Sequence, residues 1–221
     1  MTDKPRAPRR RFDSSSLIPK SDDELPGDPL PAEPPPVEFD GPGADAPIVL
    51  LPIGSTDDRI VKGVVTPVAQ AFGRDVVVTK PLPVPKYAFN PTRDQYHSAA
   101  ILKRVEGVLK PNWEAAIGIA SVDLFVPEVP FVFGEADRST RSAVISVVRL
   151  KPEIGGDAKS DITIRRLISE VIHHLGLIRG LAHCPNNRCV MFMSTTVQDT
   201  DKKGTQFCAN CRKRLVAESS S

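Results

Sequence analysis

Apolar residues fall along this chain in two rhythms. Short unbroken apolar runs bounded by Pro, Gly or charge predict strands buried on both faces. Apolar positions three and four apart predict helices with one buried stripe. "APIVLLPIG" (46–54) is a run of the first kind, and "DVVVTK" (75–80), "EAAIGIAS" (114–121), "FVFGEA" (131–136) and "SAVISVVRL" (142–150) follow it. The helical rhythm governs "DDRIVKGVVTPVAQAFG" (57–73), kinked by Pro67 and ended by Gly73. It returns in "TRDQYHSAAILKRVEGVLK" (92–110), with Thr92 as its N-cap. The last long helix is expected over "SDITIRRLISEVIHHLGLIRG" (160–180), capped by Ser160 or Asp161. There Ile164, Leu167, Ile168, Val171 and Ile172 keep to one face. Strands alternating with helices predict an α/β sheet, and no internal repeat is visible.

Residues 1–45 break the alternation. They hold 10 of the chain's 22 prolines, with basic residues (Lys4, Arg6, Arg9, Arg10, Arg11) ahead of acidic ones from Asp22 to Asp45. Such a segment buries too little apolar surface to fold and predicts a disordered or polyproline-like tail that solubilises or tethers. Residues 217–221 are expected to form a second, short tail. The 221 residues suffice for one medium domain with a real core. Lys+Arg 29 against Asp+Glu 27 gives a net charge of +2, too balanced to indicate nucleic acid. No stretch approaches the length of a membrane span, and no apolar run follows the basic N-terminus, so neither a membrane anchor nor a secretory leader is expected. A cytoplasmic chain is expected, and the residues set no oligomeric state.

Four cysteines are too few for a disulfide scaffold in a chain of this length. All four lie near the C-terminus as two pairs, Cys184 and Cys189 (C-x4-C) and Cys208 and Cys211 (C-x2-C), separated by an 18-residue loop. Tetrahedral zinc takes four soft ligands, and two short pairs brought together by a loop supply them. A structural zinc over 184–216 is the reading this spacing favours. Unpaired buried thiols fit it poorly, and "CANC" lacks the strand-then-helix setting of a thioredoxin-like motif.

Immediately before the first pair stands "HHLGLIRGLAHC" (173–184). The zinc-protease pattern H-E-x-x-H-x-x-G-x-x-H places two histidines one helical turn apart, a glycine that ends the helix, and a third histidine beyond it. His173, Gly180 and His183 match that pattern, while His174 stands for the glutamate and Leu177 for the second histidine. The blocks "LPIG" (51–54), "NPTRDQYHSAAIL" (90–102), "VDLFVPEVPFVFGEA" (122–136) and "AVISVVRL" (143–150), then "HC", "CVM" and "FCANC", occur in one order over 46–216. In these blocks the chain resembles the archaemetzincin family. The resemblance implies a minimal metzincin fold over 46–183: a mixed twisted sheet crossed by long helices, one of them the active-site helix. A zinc-finger-like four-cysteine element would follow. It also implies a methionine turn at Met191 beneath the metal site.

The departures bear on chemistry. Leu177 binds no metal, so His173 and His183 remain as two of the three protein ligands that a catalytic zinc takes. Adjacent helical residues diverge by about 100°, so His174 is poorly aimed to replace the lost ligand, although a displaced site of His173, His174 and His183 is conceivable. The missing glutamate would be the general base, worth about 10²–10⁴-fold in rate. One structural zinc is therefore expected, without the full residue set for a catalytic one. The favoured function is an impaired or inactive metallopeptidase homologue that binds a peptide or protein partner. Two alternatives stand beside it: a zinc knuckle binding nucleic acid or protein through Lys202, Lys203 and "CRKRL" (211–215), and a working peptidase with an unusual histidine site. Nucleic acid is the weaker partner, because Asp199 and Asp201 share that loop and no aromatic platform accompanies it. His97 is read as a surface or helix-packing residue, and Trp113 and the phenylalanines as core.

Overall fold

A computed structural model describes Gly43, residues 45–152 and residues 158–218. The expectations for 1–42 and 219–221 lie outside the described residues. In chain order the strands are β1 (Ile48–Ile53), β2 (Val76–Val78), β3 (Phe89–Asn90), β4 (Gln95–His97), β5 (Ala115–Ala120), β6 (Leu124–Phe125), β7 (Gly134–Asp137) and β8 (Ser142–Ser146). The helices are α1 (Asp58–Phe72), α2 (Ser98–Glu106), α3 (Ala158–Ile178), α4 (Val197–Lys202) and α5 (Ala209–Glu218).

The main sheet has the order β2-β1-β5-β8-β7. Its first four strands run parallel, and β7 pairs antiparallel along the β8 edge. Parallel strands need both faces covered, which is why β1, β5 and β8 read as unbroken apolar runs. Successive residues alternate between two cores. Ile48, Leu50, Ile117, Ile119 and Ile145 pack with Val64 and Val68 of α1 and with Leu167, Val171 and Ile172 of α3. Val49, Leu51, Ala116 and Val144 pack on the opposite face with Ile101, Leu102 and Val105 of α2. The α/β fold with a mixed sheet is the one expected.

Residues 184–216 do not stand apart from this body. Val190, Met191, Phe207 and Leu215 are buried in the same core as α1 and α3. Helix α5 continues to Glu218, two residues into the stretch expected to be a tail. Among the described residues no helix is long and apolar enough to cross a membrane.

Several local expectations are corrected. The helix expected over 92–110 occupies only 98–106, because Asn90 accepts hydrogen bonds from the Thr92 and Arg93 backbone N–H groups and Asp94 takes φ 52°. That turn makes a β3–β4 hairpin and takes the Thr92 N–H, so the N-cap is His97, which makes no side-chain capping bond. The ring of His97 packs edge-on to Phe125. The strand expected over 142–150 stops at Ser146, whose Oγ donates to Val122 O and accepts from Val148 N, turning the chain. Helix α3 begins at Ala158, which puts Asp161 in its first turn rather than at its cap, where its carboxylate pairs with Arg59 of α1. Trp113 is only partly buried, and Phe89 is 40% exposed.

Candidate metal centre and histidine cleft

The frame of the site is the C-terminal end of α3. The Gly180 N–H donates to Leu177 O and the Leu181 N–H to Gly176 O, the pair of bonds that closes a helix through a left-handed residue. Gly180 takes φ +87°, a left-handed backbone that residues with a side chain rarely adopt, and the Arg138 guanidinium lies where a Cβ would stand. This end is also pinned from the side. Arg179 donates to the buried carboxylate of Glu114, which Arg74 shares, and its guanidinium lies 5.7 Å from the centre of the Phe72 ring. After Gly180 the chain doubles back and delivers His183 and then Cys184.

Cys184 and His183 are neighbours that serve two different sites. The Sγ atoms of Cys184, Cys189, Cys208 and Cys211 lie within 4.8 Å of one another, Cys184 and Cys208 being 3.9 Å apart. Zinc–sulfur bonds of about 2.3 Å in a tetrahedron set sulfurs about 3.8 Å apart, so the four residues fit a tetrahedral thiolate metal. Local electrostatics assist. Cys208 stands just before α5, where a hydrogen bond from the Cys211 backbone lowers its thiol to about 7, and its own backbone N–H donates to Cys189 Sγ at 3.3 Å. Burial pushes the Cys189 and Cys211 thiols up. "CANC" does open a helix, contrary to the sequence reading, but no strand precedes it and its partners are the other cysteine pair.

His173 and His183 come together. Their rings stack with centroids 5.3 Å apart and planes inclined by 14°. His173 Nδ1 lies 2.9 Å from Val190 O; a carbonyl only accepts, so Nδ1 carries the proton and Nε2 keeps its lone pair for a ligand. Met191 is fully buried beneath the helix, its sulfur packed where a methyl on Gly176 would stand. Burial, with the nearby charge of Lys203, lowers His173 to about 2.

Leu177 does not join them, and His174, whose ring meets His173 edge-on with centroids 5.3 Å apart and planes at 71°, turns its Nδ1 elsewhere. The His174 Nδ1–H donates to its own helix's Glu170 O at 2.7 Å. Its Nε2 lies 2.7 Å from where a Cβ on Gly134 of β7 would stand. Burial keeps this imidazole neutral by lowering its pKa. Leu177 packs on the apolar cluster around α3. Among the described residues the four cysteines are the only group of three or more histidine, cysteine or acidic side chains whose ligand atoms converge within 4.8 Å. The displaced three-histidine arrangement is thus not assembled.

Beside His183 lies an open depression of about 550 Å³, lined by Cys184, Pro185, Phe192, Met193, Thr195 and Asp199. The Asp199 carboxylate does not face it as a free acid. It accepts from Thr195 and Thr196 and closes a capping box on α4, and the Thr196 hydroxyl foremost holds it below the usual carboxylate range.

Sequence reasoning misplaced one residue outright. Lys203, read as part of a basic knuckle surface, is 1% exposed. Its Nζ lies 3.0 Å from Glu170 Oε1 and donates to Phe192 O at 3.2 Å. The available signal was Glu170 itself, a carboxylate one turn before the histidines on a helix whose buried face also carries Arg166 and Ser169.

Comparison with known proteins agrees with this geometry. The family model described as Peptidase family M54 matches residues 87–217. An archaemetzincin of Methanocaldococcus jannaschii is 36% identical over 169 residues, covering 76% of this chain and 92% of the relative. The crystal structure of an archaemetzincin from Archaeoglobus fulgidus, complexed with malonate, superposes with a TM-score of 0.65 at 31% identity, covering 76% of this chain and 99% of that one. A zinc-dependent peptidase from Methanocorpusculum labreanum superposes with a TM-score of 0.69 at 25% identity, over 76% of this chain and 99% of its own. The family model spans more than half of this chain and the M. jannaschii relative matches 76% of it at 36% identity, so this chain belongs to the archaemetzincins, Peptidase family M54.

Proposed function

We propose that this archaemetzincin holds a structural zinc in its four-cysteine centre and has lost the peptidase metal site, so that its cleft binds a peptide or protein partner without cutting it. The observation that carries the reading is the fate of the two altered positions: Leu177 is half-buried against the apolar core, and His174 is turned under β7 with Nδ1 bonded to Glu170 O. His173 Nε2 and the imidazole of His183 would offer two nitrogens to a cleft metal, one short of what a catalytic zinc takes from its protein. A bound metal would supply water activation there. Without a carboxylate at 174 nothing stands ready to accept the water's proton and return it to a leaving amine.

The depression beside His183, with Phe192 and the 51% exposed Met193 on its wall, supports retained side-chain binding. Burial of Lys203 weighs against nucleic acid, because it removes one cation from the knuckle and leaves Lys202 with Arg212, Lys213 and Arg214 of α5. The test is cleavage of a mixed peptide library by the purified chain, with and without chelator. No turnover above the blank is expected. Robust chelator-sensitive cleavage that His174→Ala abolishes would overturn the reading.

A further inference from the structure

Lys203 heads the fully buried side chains of the described protein by size, and it is charged. Its partner Glu170 is equally shielded, the two side chains being 0% and 3% exposed, and Thr200 Oγ1 donates to the same carboxylate. A buried ion pair is a poor source of stability, since desolvation offsets most of its attraction and an apolar pair of similar size does as well. What it supplies is a fixed register between two elements. Here those elements are the active-site helix and the loop between the two cysteine pairs.

The register continues along one stripe of α3. Arg166 forks onto the Asp201 carboxylate at 2.8 and 2.7 Å. One turn on, Ser169 Oγ donates to Gly204 O at 3.2 Å and Glu170 takes Lys203. One turn further, the His173 Nδ1–H donates to Val190 O. Positions 166, 169, 170 and 173 share a helix face, and each of these bonds reaches the loop between Cys189 and Cys208, Arg166 donating also to Leu150 O at 2.9 Å. The loop's own bonds lead to the metal cluster: Val190 N–H donates to Gln206 O, Gly204 N–H to Arg188 O, and Cys208 N–H to Cys189 Sγ.

We infer that the four-cysteine centre and the histidine cleft form one coupled device, with Lys203 the positioning residue that transmits the state of the first to the imidazole of the second. The inference rests on a zinc in the four-cysteine centre, the part of the functional reading that it extends. Metal there fixes both ends of the loop, and the loop holds α3 through Lys203 and fixes the His173 tautomer through Val190. Coupling is reciprocal in binding free energy, so a ligand on His173 tightens the hold of the cysteines on their metal.

The test separates coupling from stability. In the zinc-loaded full-length chain, nitrogen-15 spectra of the imidazoles report the His173 Nδ1–H and its exchange rate. A chromogenic chelator reports the rate of zinc release. Lys203→Met is expected to keep one zinc per chain, yet speed both His173 exchange and zinc release by at least about fivefold, the lower range of measured site–site couplings. The variant Glu170→Met plus Lys203→Met removes the unpaired charge and carries the test if the single variant fails to fold. It is expected to recover the wild-type melting temperature while both rates stay fast. Recovery of both rates together with stability would overturn the inference and reduce the pair to packing. Unchanged rates in Lys203→Met would do the same. A wild-type chain that holds no zinc overturns the four-cysteine reading and the inference with it.

Discussion

The two metal-ligand regions of this molecule share a single turn of chain and differ in how each is built. His183 and Cys184 are consecutive, yet Cys184 joins three other sulfurs drawn within 4.8 Å while His183 stacks on a single imidazole, that of His173. The cysteine centre ties α5 and the loop to the core, so that losing a ligand there costs folding. The cleft is held by groups that are not ligands: the Gly180 turn, the Glu114–Arg179 pin, Met191 under Gly176, and the His173–Val190 bond. Its scaffold therefore survives the substitution of its chemistry, and Leu177 and His174 are accommodated without breaking a backbone bond of α3. On the proposed reading fold and activity rest on different residues, and the two positions that depart from the zinc-protease pattern, 174 and 177, belong to the second set.

The largest contrast should appear on removing one sulfur. Cys208→Ser is expected to abolish zinc binding and destabilise the chain by several kcal/mol, given the apparent ~10–16 kcal/mol that structural zinc contributes in small peptides at neutral pH. Elemental analysis and thermal melting check it. Retained zinc with an unchanged melting curve would show that the cluster is not the stabilising centre.

Acid comes next, and it acts on the cleft. Burial, and secondarily Lys203 for His173, holds the two imidazoles below their ordinary value of about 6.5, His173 at about 2. The folded state keeps them neutral while the unfolded state binds protons below pH ~6.5, so their contribution is complete above that value and is lost as pH falls. His173 alone predicts a loss of roughly 1.4 kcal/mol between pH 7.5 and 5.5, and His174 adds to it in the same direction. Urea unfolding across that range measures it, and His174→Gln should make the slope shallower. An equal slope in that variant would contradict the burial of His174.

The smallest effect is assigned to the lost ligand position. Leu177→Ala removes half-buried packing and should cost about 1–2 kcal/mol, below the ~2–5 kcal/mol of a fully buried leucine. Zinc content should not change. A drop in metal on this substitution would mean that Leu177 supports the cysteine centre.

Much of this was legible in advance because it is periodic or spaced. The apolar runs of β1, β5 and β8 gave the buried sheet, the 3.6-residue stripe gave α3, and the two cysteine pairs gave the cluster. What escaped was local or tertiary. Asn90 bonding its own turn outcompeted helix propensity over 91–97, and nothing in the 92–110 periodicity registers a side chain bonding backbone. Lys203 sits in a run of charges, "DTDKK", whose outward look says nothing of Glu170 thirty-three residues upstream on the buried polar stripe of α3. A charge buried by its partner is invisible until the two elements are side by side.

The most direct measurement is the number of zinc ions per chain, taken for the wild-type protein and for the double variant His174→Glu plus Leu177→His. The account predicts one zinc in the wild type, on the four cysteines. It predicts two in the variant, because Gly180, His183 and the His173–Val190 bond still present a three-histidine frame. Two zincs in the unaltered protein, or a folded double variant that takes up no second ion, would contradict it.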